Sequence, residues 1–148
     1  MTGDTPPAAC LRLPARLDSI PALRELALGW AARAGLAGLA LQRLDLVLEE
    51  ALVNVVNHAY GTGQGDLELA CRAEAPGRVC LTLTDWGPPF DPLHGPDPDQ
   101  EAQRAANREV GLDARALGGL GLFFIRSMAQ ASYRREAEAN VLVLCFGP

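Results

Sequence analysis

The chain has only two histidines, His58 and His94, and its four cysteines form no CxxC pair. That argues against a histidine-based zinc site, a zinc ribbon and a histidine-centred catalytic triad, because each needs several partners at set spacing. There is no apolar run of the roughly 20 residues that would span a bilayer. The start, Met1-Thr2-Gly3-Asp4-Thr5-Pro6-Pro7, lacks both the basic residues and the apolar stretch of a secretory signal. Positive charge is also short: 13 basic against 18 acidic residues leave a net charge of -5. Such a chain has no general attraction for nucleic acid or acidic lipid. Arg134-Arg135 comes nearest to a basic patch, and two arginines on a strand are expected to be solvated. These absences lead us to expect a cytoplasmic protein that contacts neither nucleic acid nor membrane directly.

What is present is ordinary for a globular domain: 148 residues, 49% apolar and 21% charged, enough for one core without disulfide or metal staples. Cys10, Cys71, Cys80 and Cys145 fall in apolar strand patterns, so reduced, buried thiols are expected. The patterning predicts a short strand at 9–13. A helix follows, with Ser19 as its cap, Pro21 in its first turn and Gly35 closing it. A longer helix is predicted over 40–59, with Leu41, Leu44, Leu48, Ala51, Leu52 and Val55 on one face. Strands are predicted at 67–73 and 79–85, a helix at 120–131, and closing strands at 133–136 and 141–146. Residues 87–117 hold five prolines and an acidic tract; a loop this long points to a functional lid or an insertion.

Three stretches carry chemistry. On the second helix Glu50, Asn54, Asn57 and His58 share one side, flanked by Leu46, Val47 and Val53. A narrow polar strip between apolar flanks suits a cavity lining. There a carboxylate can take a proton, and an amide oxygen one turn on can ligate Mg²⁺. Glu49, about 100° round the helix, is expected to face solvent. Asp85 ends a strand pattern and is followed by Trp86-Gly87. A carboxylate at the bottom of an apolar pocket can accept from an exocyclic amine, and Gly87 lets backbone approach a flat ligand. Phe90 either packs on that ligand or anchors the loop. Gly118-Gly119-Leu120-Gly121-Leu122 opens a helix, where free backbone N–H groups favour an anion. It is not a Walker loop, because no Lys-Ser/Thr follows.

Together, in this order and spacing, the three stretches resemble the N, G1 and G2 boxes of the GHKL ATP-binding superfamily, from about Leu11 to Phe146. The wording at Glu50–Tyr60, Asp85–Asp91 and Gly119–Leu122 is most similar to the small bacterial anti-sigma-factor serine kinases. That resemblance implies an α/β two-layer sandwich, a mixed, mostly antiparallel sheet with helices on one face, as a single domain over 1–148 with an ATP lid at about 88–117. It implies ATP and Mg²⁺, with Glu50 as general base and Asn54 as metal ligand. Asn54, His58, Asp85, Gly87 and Phe90 would form the nucleotide pocket, Asp85 taking the adenine amine. Gly119, Leu120, Gly121 and Leu122 would carry the phosphates. Arg104, Arg108 and Arg115 are all available to the γ-phosphate, and Arg115 is a candidate for that contact.

The implied partners are an anti-sigma antagonist, phosphorylated on serine, and a sigma factor held alternately; a homodimer is implied as well. Trp86 and Val53 depart from the family wording, which often has a small or charged residue and a threonine there. A non-catalytic ATP-binding regulatory module would use the same pocket residues. A sensor histidine kinase fragment is disfavoured, because no segment with a phospho-accepting histidine precedes the boxes.

Overall fold

Alternating apolar residues set the sheet. In the computed structural model, which describes residues 8–60, 63–91, 93, 125 and 128–147, the chain forms β1 (Ala9–Pro14), α1 (Ile20–Arg33), α2 (Gly38–His58), β2 (Asp66–Ala75), β3 (Arg78–Asp85), β4 (Gln130–Glu136) and β5 (Ala139–Phe146). The five strands lie in the order β1-β2-β3-β5-β4, and every neighbouring pair is antiparallel. The expected two-layer α/β arrangement is therefore present.

The period of two sorts each strand into faces. On the core face, one row across the sheet reads Ala9, Cys71, Leu81, Leu144, Ala131, and the next reads Leu11, Leu69, Leu83, Leu142, Tyr133. Against these rows pack Leu23, Ala27 and Trp30 of α1 and Leu44, Leu48, Leu52 and Val55 of α2. A third row on the same face turns polar: Leu13, Leu67, Asp85, Asn140, Arg135. The core thus ends in a line of polar groups, and the candidate site begins there.

The helices are joined to one another by charge as well as by apolar contact. Arg24 on α1 places two guanidinium nitrogens 2.7 and 2.9 Å from one carboxylate oxygen of Asp45 on α2. At Gly35 the chain turns with φ +99°, a conformation open to glycine, and the Leu36 N–H returns to the Ala31 carbonyl. No helix among the described residues is long and apolar enough to cross a membrane.

Four expectations change. Ser19 makes no side-chain cap; it lies buried at the end of a short 3-10 turn, Leu17–Ser19, that leads into α1. The last predicted helix runs too far: Ile125 and Met128 are helical, but Gln130 and Ala131 already belong to β4. Cys10 is exposed, because its position in β1 faces away from the helices. Finally, Cys80 and Cys145 are not free thiols. The register of β3 on β5 sets them directly opposite, with Cα atoms 4.1 Å apart, and they are joined as a disulfide. Cys71 is the one cysteine that matches the expectation in full: it is buried and reduced, and burial pushes its thiol up to about 11.

The disulfide links residues 65 apart in sequence, so it removes much of the freedom of the unfolded chain. Titration of the denatured, unreduced protein should find the two thiols of Cys10 and Cys71, and full reduction should expose all four. Reduction should lower the melting temperature by on the order of 10 °C, given about 4 kcal/mol from the chain-entropy argument. Equal melting with and without reductant would show that the bond does not form in solution.

Candidate functional site

The polar row and α2 enclose an open cleft. Among the described residues it is lined by Ala51, Asn54 and Val55 of α2, Leu83 and Asp85 of β3, Tyr133 of β4, Asn140 and Leu142 of β5, and Phe90. Apolar side chains form most of the walls, while Asp85 and Asn140, each only 4% exposed, form the polar end. Apolar walls closed by a polar end are the lining chemistry that a flat, mostly apolar group with one or two polar edge atoms would require.

Asp85 reaches this end because Leu81, Leu83 and Asp85 share the core face of β3. One of its oxygens, Oδ1, accepts from the Gly87 N–H at 3.0 Å and from the Asn140 amide at 2.9 Å. No hydrogen bond to Oδ2 is formed within the described residues.

Gly87 is buried behind Asp85, and its lack of a side chain has a local cause. A β-carbon there would overlap the carbonyl of Ala59 at the end of α2. The close approach at Gly87 is thus to the helix terminus. Tyr60 ties the same corner together: its hydroxyl donates to the Asp66 carbonyl at 2.5 Å and accepts the Trp86 N–H at 2.9 Å.

Trp86 turns away from the cleft. Its exposed ring lies beneath the Arg12 guanidinium, 4.0 Å from the ring centroid, and Arg12 also pairs with Asp66 at 3.0 Å. The departure from the family wording at Trp86 therefore puts no bulk into the pocket.

On α2 the polar strip is graded. Asn54 is half-buried and lines the cleft; Asn57 and His58 are exposed. The His58 ring stands 6.1 Å from that of Phe90, tilted by 40°. Glu50, one turn before Asn54, is half-buried but lies outside the cleft lining. Loss of water around it, followed by the negative charge of Glu49, raises its affinity for a proton above the ordinary carboxylate value. Glu49 points elsewhere, within 3.7 Å of Arg24 on α1. The two neighbouring glutamates thus stand in different surroundings.

The structure brings Asn54, Asp85 and Phe90 into one cleft, with Gly87 behind it, His58 at its rim through Phe90, and Glu50 one turn along α2. Arg115 and Gly119, Leu120, Gly121 and Leu122 lie outside the described residues, as does most of the expected lid.

Two site residues were missed by the sequence reading. Asn140 bonds to Asp85 and to the chain around Gly87 and Phe90. Arg135 is exposed, as expected, and also donates to the Gly87 carbonyl at 2.7 Å and to Asn140 at 3.2 Å. Arg134 is exposed, paired with Glu136 at 2.7 Å. The available signal was phase: Asn140 falls on the core-facing positions shared with Leu142, Leu144 and Phe146.

Residues 13–146 match the family model described as the histidine kinase-like ATPase domain. The chain is similar to the serine-protein kinase RsbW of Listeria innocua, 31% identical over 121 residues, which is 80% of this chain and 73% of the relative. The serine-protein kinase RsbW of Listeria monocytogenes aligns over the same length at 31%. That of Halalkalibacterium halodurans is 27% identical over 143 residues, 90% of this chain and 79% of the relative.

The environment of Glu50 makes stability depend on pH. Its proton affinity is higher when folded, so above the unfolded carboxylate range, near 4.5, the folded chain holds more protons and stability falls as pH rises. Glu50→Gln removes that group. Relative to wild type, the variant should gain stability as pH rises from the acid range to neutrality, read as a growing difference in denaturation midpoints. A difference that stays constant over that range would contradict the desolvated setting.

Proposed function

The chain belongs to the histidine kinase-like ATPase domain family, and on that premise we propose that it is an ATP- and Mg²⁺-dependent serine/threonine-protein kinase of the anti-sigma-factor type. The observation that carries this reading is the pairing of two unlike carboxylates about one cleft. Asp85 lines the polar end of the cleft, held through Oδ1, and Glu50, raised in proton affinity, stands on the helix that forms the opposite wall. A general base works best when its pKa lies near the operating pH, and a raised carboxylate moves in that direction.

The donor and acceptor types lining the cleft, an amide, a carboxylate and apolar walls, are those a nucleotide with its metal would need. The adenine ring would lie between the apolar walls, its exocyclic amine donating to Asp85. The Asn54 amide, on the cleft wall one turn from Glu50, is an oxygen ligand of the hard type that Mg²⁺ takes. The bound ion supplies neutralisation of phosphate charge. Glu50 accepts the proton of the incoming serine hydroxyl. Gly119, Leu120, Gly121 and Leu122 would offer backbone N–H groups to the phosphates, under a lid at about 88–117, with Arg115 a candidate γ-phosphate contact.

The substrate in this reading is a serine on a small anti-sigma antagonist. A phosphate adds about -1.5 to -2 charges, enough to break a partner's interface by repulsion and desolvation. A sigma factor would be held alternately, by a homodimer of single-domain chains in the cytoplasm. The position of Glu50 outside the cleft lining favours a second reading, a regulatory module that binds ATP without transfer.

Glu50→Gln should lower γ-phosphoryl transfer from labelled ATP to a serine-bearing anti-sigma antagonist by about 100-fold or more, while ATP binding stays near wild type. Transfer within a few-fold of wild type would remove Glu50 from the base role. Calorimetry should show Mg²⁺-dependent ATP binding that Asp85→Asn abolishes. ATP binding without transfer by the wild type would favour the regulatory module.

A further inference from the structure

The disulfide between Cys80 and Cys145 lies on the face of the sheet turned away from the helices. Core-facing Val79 and Leu81 flank Cys80, and Leu144 and Phe146 flank Cys145, so both sulfurs point the other way. One row across that face reads Arg72, Cys80, Cys145, Gln130. Cys80 is fully buried yet stands outside the core cluster, whereas Cys145 is only half-buried. An external molecule therefore meets the sulfur of Cys145 first.

Charge surrounds the pair. A carboxylate oxygen of Glu74 and the two sulfurs all lie within 4.8 Å of one another. Glu74 accepts from Arg72 at 3.2 Å and from Arg78 at 2.9 Å. Arg78 also donates to the side-chain oxygen of Gln130. Its guanidinium thus links β2 to β4, and the two strands that carry the cysteines lie between them. Two guanidinium groups against one carboxylate leave these surroundings net positive. That balance repels a metal cation and favours a thiolate, which is the form in which a sulfur attacks or leaves.

The ladder keeps the cysteines together whether or not they are joined. Register pairs from Val79–Phe146 to Asp85–Asn140 align β3 with β5. Opening the bond leaves the two thiols facing each other on adjacent strands, ready to close again.

We infer that the Cys80–Cys145 bond is a reversible thiol-exchange site: a small external thiol attacks Cys145 in the folded protein, and Cys80 leaves as a thiolate within the Arg72–Glu74–Arg78 cluster. The incoming thiolate bonds to Cys145 Sγ as the Cys80–Cys145 bond breaks, its electron pair going to Cys80. A second molecule of the thiol attacks the external sulfur, releases Cys145 and departs as a symmetrical disulfide. Each cysteine ends with the proton of one incoming thiol, so two electrons and two protons pass to the protein. This exchange stands apart from the ATP reading and uses no residue of the cleft.

The test treats the folded, oxidised protein with reduced glutathione and no denaturant, traps free thiols by alkylation and reads them by peptide mass. The bond should open while the chain stays folded, and close again in oxidised glutathione. Opening only after denaturant unfolds the sheet overturns the inference. In Cys80→Ser, oxidised glutathione should modify Cys145, and in Cys145→Ser it should leave Cys80 unmodified. Any other pattern overturns the choice of attacked sulfur.

Charge is tested by rate. Arg78→Gln should slow opening about fivefold, Arg72→Gln should slow it less, and Glu74→Gln should quicken it. All three loosen the same cluster, so loosening alone would move the three rates in one direction. That result, or three unchanged rates, overturns the part given to the arginines. If Arg78→Gln gives no cooperative melt, Arg72→Gln, at an exposed residue, carries the comparison with Glu74→Gln.

Discussion

The antiparallel register of β3 on β5 sets Asp85 opposite Asn140, and the position of that pair determines the rest of the site. Both residues continue apolar core-facing series, so they sit at the edge of the core under α2, where water is scarce. A slip of one residue would send Asp85 to the opposite face of the sheet and expose Leu81 and Leu83 with it. Core burial therefore holds the Asp85 carboxylate in place, without any need for the site to specify its own position. The same register, at the other end of the two strands, brings Cys80 against Cys145. One alignment thus accounts for the polar end of the cleft and for the covalent link across the middle of the sheet.

The other wall depends on how closely α2 can approach the turn after β3. That approach is made backbone to backbone, Ala59 against Gly87, and only glycine allows it. Tyr60 then bonds both to β2, through Asp66, and to the turn, through Trp86. With Gly87 and Trp86 fixed from below, the Trp86 ring must leave on the solvent side, where Arg12 covers it. An exposed cation–π contact of this kind is worth about 0.5–1 kcal/mol, enough to prefer one orientation of the ring without closing the cleft.

Local patterns made most of this legible in the sequence. The period of two and the helical apolar face placed both described helices and all five strands, most boundaries falling within a residue or two. Asp85 and Asn54 were recognisable because each closes or interrupts an apolar pattern at a position where polarity costs energy. Asn140 obeys the same rule and still escaped, since its meaning comes from a partner 55 residues away. Arg135 escaped for the same reason: a strand arginine is usually solvated, and only the neighbouring strand shows that this one reaches the Gly87 carbonyl. The cysteine pair is the same lesson at a separation of 65 residues, because each cysteine alone reads as a small apolar strand residue. Local periodicity assigns a residue to a face; pairing across the sheet decides what it meets there.

The proposed reading divides its work between two elements with different sources of rigidity. Recognition of the base rests on the sheet, where Asp85 and Asn140 are held by ladder register and by side-chain bonds whose direction is chemically forced. Transfer rests on α2, where Glu50 is partly shielded from water and Asn54 turns into the cleft. The two elements meet at the Ala59–Gly87 corner, close to the recognition end and two turns along α2 from Glu50. A disturbance at the corner therefore shifts α2 relative to Asp85 and acts on binding and transfer together, whereas a change at Glu50 leaves the Asp85–Asn140 pair untouched. In that reading, selecting the nucleotide and moving the proton fall to different elements, the sheet at the cleft's polar end and α2 one turn beyond its lining.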